Sequence, residues 1–445
     1  MIEQLGPGWI AIIMLGALLV GLMIGYPIGF VIAAVSLFMG LGVWGLGVGD
    51  ILYVRMFSFF TSYVLLAIPL FVFMGVMLER SGVGERLFGA LYLWFGGFRG
   101  GLALITEMMG IALAATVGII TASVTMLTLF ALPPMMRRGY DKSLATGAVV
   151  SGGILGILIP PSIMLVVYGP MAGLSVGKLF FGAFIPGFIL GLAYIVYISI
   201  RCWLQPHLAP SVAIEDRQVS FFRKTKALVL SALPLILLIL SVLGVIYFGI
   251  APPTEAAGVG ALAATALVII YGKFSWQVLK DVTLITLRTA GFVYLIGIAA
   301  AAFAAVFMGT NADESVRSLI LGVPGGRWGS FAMVMLIFFI LGFFIEWIGI
   351  VFIVVPIITP VAAALQFDPI WFAIMVCVNL QMAFMTPPMS QGIYVCMGAC
   401  PPELDIHMSH IVKGVIPHIL IVVAVLILLV LVPELITWLP NSMIR

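Results

Sequence analysis

Six side chains in this sequence stand where they could hold a cation: the hydroxyls of Thr121, Ser123, Ser162, Thr386 and Ser390, and the carboxylate of Glu346. All lie in otherwise apolar runs. Hydroxyl and carbonyl oxygens suit a hard cation such as Na+, and helix N-termini, with their partial positive charge, suit an anion. A carboxylate at mid-bilayer costs roughly 2.5–3.5 kcal/mol on insertion scales, so the default reading of Glu346 is functional. It could coordinate Na+ or carry a proton; it could also pair with a nearby backbone amide or with the Trp347 indole. Each hydroxyl could instead cap a helix or bond a neighbouring carbonyl.

These residues sit at four interruptions of apolar sequence. Two are proline pairs, Pro160-Pro161 in GILGILIPPSIMLVVYG and Pro387-Pro388 in QMAFMTPPMSQGIYVCMG. A proline inside a helix removes a donor and clashes with the preceding turn, so two in succession should open it. Broken backbone at membrane depth is tolerated only where it is packed in protein or lines a cavity. The other two interruptions are the tips of paired short apolar arms, TVGIITAS (116–123) and FIEWIG (344–349). Gly118, Gly349, Pro160 and Pro387 are expected to contribute shape and exposed carbonyls. Interrupted segments at matching places in two halves of a chain point to a transporter's binding site. Glu346 reads as the only acid deep in a hairpin. No arginine or lysine is expected among the four breaks, so an anionic substrate would be held by backbone amides. Glu255, in PPTEAAG, fits the first turn of a helix, where its charge suits the helix dipole.

Composition places these breaks in a membrane. Of 445 residues, 63% are hydrophobic and 8% charged, against about 25% charged in a soluble domain. The expected class is an all-α polytopic membrane protein. Its first apolar run lacks a basic leader and a cleavage site, and reads as a retained helix. The net charge of +3 is too small and dispersed for nucleic acid. The four cysteines and four histidines form no metal-type spacing. No Walker motif, zinc-protease pair or nucleophile elbow is present, so neither ATP binding nor an enzyme is expected and no cofactor is implied. An ion gradient would then drive transport.

The breaks recur because the chain appears twice. Pro387 lies 227 residues after Pro160 (387 − 160), and the same shift carries Pro133 to Pro360, Asp141 to Asp368, and Gly169 to Cys396, two residues before Gly398. Pro27 pairs with Pro253 at a shift of 226. An internal duplication is expected. Residues 1–200 form the first repeat, with a re-entrant hairpin at 100–136 and a broken helix at 143–170. Residues 201–226 form a polar, basic linker, and 227–445 the second repeat, with a hairpin at 328–365 and a broken helix at 370–398. Each half crosses the membrane an odd number of times, so the second copy is inverted. Charge agrees: 137–142 carries Arg137, Arg138 and Lys142, whereas 366–369 carries no basic residue. The linker is therefore expected in the cytoplasm and both termini outside it. Between the second half's spans at 253–272 and 290–308, Lys273, Lys280 and Arg288 read as a basic connector.

The run ALPPMMRRGYDKSLATGAVVSGGILGILIPPSIMLVVYG, with PPTEAAGVGALAA and MTPPMSQGIYV, resembles the large membrane subunit of TRAP (tripartite ATP-independent periplasmic) transporters, within the ion-transporter superfamily. The resemblance covers essentially the whole chain. It implies Na+-coupled import of small organic acids by an elevator motion of two hairpins and two broken helices, in a bacterial inner membrane. It also implies two partners, a periplasmic substrate-binding protein and a small four-helix membrane subunit that is not fused here. The other reading is an ion-coupled anion carrier of the same superfamily that needs no binding protein. Many family members carry a Ser-Gly-Ser-like first tip and an Asp where this chain has Ile119 to Ser123 and Glu346. These departures bear on side-chain coordination of Na+ at Thr121, Ser123, Glu346 and Thr386, and leave backbone coordination untouched.

Overall fold

A computed structural model describes residues 6–117, 120–211, 219–388 and 390–443, leaving aside the side chains of 115–117. The regular structure of the described residues is helical. The first half opens with α1 (Pro7–Met23) and α2 (Ile28–Trp44), parted at Tyr26-Pro27 because a residue before proline resists helix. The short connector α3 (Val48–Phe60) leads to α4 (Ala67–Arg80) and α5 (Val83–Phe95). The arms of the first hairpin are α6 (Gly101–Val117) and α7 (Ile120–Arg137). The first broken helix is α8 (Lys142–Ile154) and α9 (Ile163–Ala172), and α10 (Val176–Leu204) closes the half.

The second half runs α11 (Phe221–Tyr247), α12 (Pro253–Ile270), α13 (Trp276–Gly309) and α14 (Ala312–Leu321). Its hairpin arms are α15 (Gly326–Leu341) and α16 (Trp347–Ala364), its broken helix α17 (Pro369–Ala383) and α18 (Gln391–Ala399). The chain ends on α19 (Met408–Leu431) and the short α20 (Glu434–Asn441). Among the described residues, nine helical stretches are long and apolar enough to span a membrane.

Local chemistry sets the joints. Both proline pairs interrupt their helices, and both peptide bonds within them are cis. Asp141 and Asp368, matched by the 227-residue shift, do the same work: each carboxylate accepts the amide three residues on, from Leu144 at 2.9 Å and Trp371 at 2.8 Å. These are N-caps that start α8 and α17 just after the hairpins end.

Packing exchanges the halves. α2 packs on α13, and α12 on α4. α16 lies against α9, and α7 against α18. α6 crosses α8 as α15 crosses α17, and α11 meets α5 as α1 meets α14. Each of these pairs maps onto its counterpart when the repeats are swapped, the pattern of an inverted repeat with two hairpins and two broken helices.

Two expected boundaries differ. The linker is shorter than 201–226 at both ends, because Arg201 to Leu204 continue α10, Cys202 is fully buried, and α11 already begins at Phe221; residues 212–218 within it lie outside the described residues. Lys280 and Arg288 belong to no connector. No glycine or proline interrupts WQVLKDVTLITLRTA, so α13 runs unbroken for 34 residues and carries both charges on its length. The first half divides the equivalent stretch into α3 and α4 around a single 3-10 turn at Tyr63–Leu66.

Candidate functional site

A cavity of about 320 Å3 gathers residues from all four breaks. Thr121 and Glu346 come from the hairpin tips, and Ile163 and Gln391 from the starts of α9 and α18. Each break contributes the beginning of the helix that follows it, so the N-termini of α7, α9, α16 and α18 converge on one space. Unpaired amides and aligned peptide dipoles make each such end attractive to negative charge.

The remaining wall comes from α13, whose Arg288, Thr289 and Phe292 face the cavity. This corrects the expectation that no basic side chain lies among the breaks. Arg288 is exposed, and no ion pair holds it among the described residues. The signal in the sequence was the missing helix breaker before it; its charge suggested a loop, and the unbroken helix brings it inward.

Glu346 stands at the N-cap of α16 without bonding a backbone amide, and its Oε1 accepts from Gln391 Nε2 at 3.0 Å. The partner is thus neither a tip amide nor the Trp347 indole. Gln391 Oε1 is buried without a hydrogen-bond partner among the described residues. Sequence reasoning did not single out Gln391, although it follows the second proline pair by three residues.

The remaining hydroxyls divide. Thr121 is exposed in the cavity. Ser123 is buried, and its Oγ has no partner among the described residues. Gly156 makes room for it: a Cβ there would lie 3.0 Å from Ser123 Oγ. Ser162 donates to the Ile157 carbonyl, Thr386 to Met382 at 2.8 Å and Ser390 to Phe384 at 2.8 Å, with Ser390 also accepting from the Ile393 amide at 3.4 Å. Those three spend their protons on local backbone, the alternative the sequence left open. Pro160 is buried in the first break; Pro387 is exposed in the second. Gly349 serves packing, since a Cβ would meet Ile28 Cδ1 at 2.2 Å. Gly118 lies outside the described residues. Glu255 is exposed in the first turn of α12, as its place after Pro252-Pro253 indicated.

Glu346 is not the only acid deep in a hairpin. Glu107, midway along α6, is fully buried. Its carboxylate lies beside Ser151 and His418, away from the cavity. None of the three was expected as a functional residue. Among the described residues, no group of three or more His, Cys, Asp or Glu side chains is placed to hold a metal.

Comparison with known proteins follows this geometry. Residues 15–435 match the family model described as "Tripartite ATP-independent periplasmic transporter, DctM component". The chain is 31% identical to the C4-dicarboxylate TRAP transporter large permease protein DctM of Vibrio cholerae, over 97% of this chain and 98% of that one. It is 27% identical to the sialic acid TRAP transporter large permease protein SiaM of the same organism, over 94% and 95%. Among solved structures, the YdaH transporter of Alcanivorax borkumensis shares the fold with a TM-score of 0.61 at 15% identity, covering 89% of each chain.

Proposed function

This chain belongs to the DctM component family of tripartite ATP-independent periplasmic transporters, and from that premise we propose that it is the large permease subunit of a cation-coupled importer of a small carboxylate. The observation that carries the reading is the cavity where four helix N-termini and Arg288 meet. Such a site is built for an anion, and its size is at the lower end of ligand pockets, about 300–1,000 Å3. A four-carbon dicarboxylate fits that chemistry better than a bulky sugar acid.

Glu346 in the same cavity supplies the coupling. Two carboxylates in one low-dielectric space repel, so the substrate anion binds well only once Glu346 is neutralised by a cation. We assign Na+ to that role, with Thr121, Ser123, Glu346 and Thr386 as its side-chain ligands. Ser162, Ser390 and the carbonyls beside Pro160 and Pro387 would complete the two broken helices, with Gly118 and Gly349 at the hairpin tips as expected shape-givers. The two repeats, on either side of the polar linker, would supply the hairpins and broken helices as a moving body and the other helices as its scaffold. Arg288 then stands on the scaffold side and releases the anion when the body moves. A small membrane subunit and a periplasmic binding protein are the partners, the inner membrane is the location, and both termini face the periplasm.

The test is uptake into proteoliposomes holding the full permease, supplied with its binding protein and a labelled C4-dicarboxylate. Uptake should require an inward Na+ gradient; equal rates with K+ in its place would reject Na+ coupling. Arg288→Ala should lower apparent affinity for the anion about tenfold or more, the equivalent of a charge-assisted hydrogen bond of roughly 1.5–3 kcal/mol. Glu346→Gln should let the anion bind without Na+. Anion affinity that stays Na+-dependent in that variant would remove Glu346 from the coupling.

A further inference from the structure

Glu107 and His418 face each other in the protein interior, outside the cavity and far apart in the chain. Glu107 on α6 is 0% exposed and His418 on α19 is 1% exposed. The His418 Nε2 stands 3.7 Å from Glu107 Oε1. Oε1 accepts a hydrogen bond from Ser151 on α8; Oε2 and Nε2 have no partner among the described residues. Glycines make this approach possible. A Cβ on Gly147 would lie 2.4 Å from the Gly414 carbonyl, so α8 and α19 touch backbone to backbone. A Cβ on Gly152 would lie 3.2 Å from Glu107 Oε2.

The tautomer follows from the hydrogen bonds. His418 Nδ1 lies 2.9 Å from the Gly414 carbonyl. A carbonyl only accepts, so Nδ1 carries a hydrogen. Nε2 then presents a lone pair if the ring is neutral, or a second N–H if it is charged. With Glu107 ionised and His418 neutral, acceptor faces acceptor and a bare negative charge is buried, which is the costly state. One added proton removes both penalties, whether it rests on the carboxyl or on the ring. Two protons leave a buried positive charge with no counter-ion.

The surroundings do not change that count. Tyr194 and Tyr197 of α10 pack edge-on against the His418 ring, with centroids at 5.0 and 5.3 Å. Of the cations, Arg201 donates to the Tyr197 hydroxyl, Lys413 lies five residues before His418 on α19, and Lys142 opens α8. Other helices packed on α6 and α19 carry their charges at helix ends, as with Glu79 and Arg80 of α4, Glu85 and Arg86 of α5, Arg137 of α7 and Glu434 of α20; α11 has its basic residues in its first turns, and α17 and α18 bring thiols and Tyr394. Tyr197 and Arg201 also line a separate cavity of about 420 Å3 at the C-terminal end of α10. One aromatic ring thus stands between the buried pair and open space.

We propose that Glu107 and His418 form a binding site for a single proton, loaded from the cavity at the end of α10 past the ring of Tyr197. The site is independent of what the central cavity carries. The test uses the whole chain in nanodiscs without substrate. Histidines are labelled with 15N, and the His418 signals are assigned by their loss in His418→Gln. The carboxylic-acid carbonyl band is assigned by its loss in Glu107→Gln or, should that variant not fold, by its shift in Ser151→Ala. Near neutral pH one proton should be present, either as imidazolium with carboxylate or as neutral imidazole with carboxylic acid. Neutral imidazole with carboxylate, or both groups protonated, would overturn the proposal. Tyr197→Ala should speed exchange of that proton with heavy water several-fold; an unchanged rate overturns the route past the ring.

Discussion

The crossing of α6 with α8 and that of α15 with α17 are one contact made twice, and the chain fastens them differently. In the first, Glu107 meets Ser151, and His418 closes over both from α19. In the second, the residues 227 positions on from Glu107 and Ser151 are Val334 and Val378, both fully buried. There Asn379 Nδ2 donates to the Met335 carbonyl at 2.8 Å. The position matching His418 is Gly191 (418 − 227). A neutral amide with its bond made is enough to join a hairpin arm to a broken helix. The ionisable pair Glu107 and His418 is therefore not demanded by packing, and its presence calls for a chemical reason. The breaks differ in the same spirit. Residues 155–162 are all buried, whereas Pro387 and Pro388 are exposed. Two copies with one backbone plan thus occupy unlike environments.

The largest expected effect breaks the first fastening. Glu107→Val removes the carboxylate that faces His418 Nε2 in an apolar interior, and removing one side of a buried pair typically costs about 3–5 kcal/mol. Adding His418→Leu removes the other side as well, so the double variant should lose less than the sum of the single losses. Unfolding followed in detergent for the four proteins decides it; strict additivity would mean that the two side chains do not interact.

A smaller effect comes from glycines at matching positions, Gly414 and Gly187 (414 − 227). A Cβ on Gly414 would lie 2.1 Å from the Ser143 carbonyl oxygen and 2.8 Å from the Gly147 amide, backbone that cannot turn aside. A Cβ on Gly187 would meet the Ile159 Cγ1 at 2.6 Å, a side chain that can. Gly414→Ala should cost about 3 kcal/mol and Gly187→Ala about 1 kcal/mol, the two ends of the range for overpacking. Equal losses would show that α19 yields at its crossing as readily as Ile159 does.

Much of this architecture was legible in the chain. The proline pairs break their helices, the hairpin arms fall within two residues of expectation, and Asp141 and Asp368, matched only by the repeat, prove to cap equivalent helices. Those features are local: a missing donor or a capping carboxylate acts within a turn of its own position. Ser162, Thr386 and Ser390 were ambiguous for the same reason, because a hydroxyl near a break finds a local carbonyl as easily as an ion. What escaped was long-range. Arg288 looked like part of a loop because charge usually is, and only the uninterrupted α13 turns it toward Glu346. Glu107 and His418 each look like an isolated polar residue in an apolar helix. Nothing in the order of residues says that glycines at 147 and 414 bring them together.

The finest discrimination rests on the neutral fastening. Asn379→Val removes the donor that bonds Met335, but that carbonyl sits inside α15 and keeps its place in the helical ladder. The side chain that leaves is itself buried, so no polar atom of its own is stranded. The loss should therefore be one ordinary hydrogen bond, about 1 kcal/mol, with the His418 nitrogen signals unmoved. If Asn379→Val instead destabilised the protein as much as Glu107→Val, both crossings would be polar staples of equal rank. The contrast between a packing contact and a proton site would then have no basis in stability, and the case for the proton would rest on spectroscopy alone.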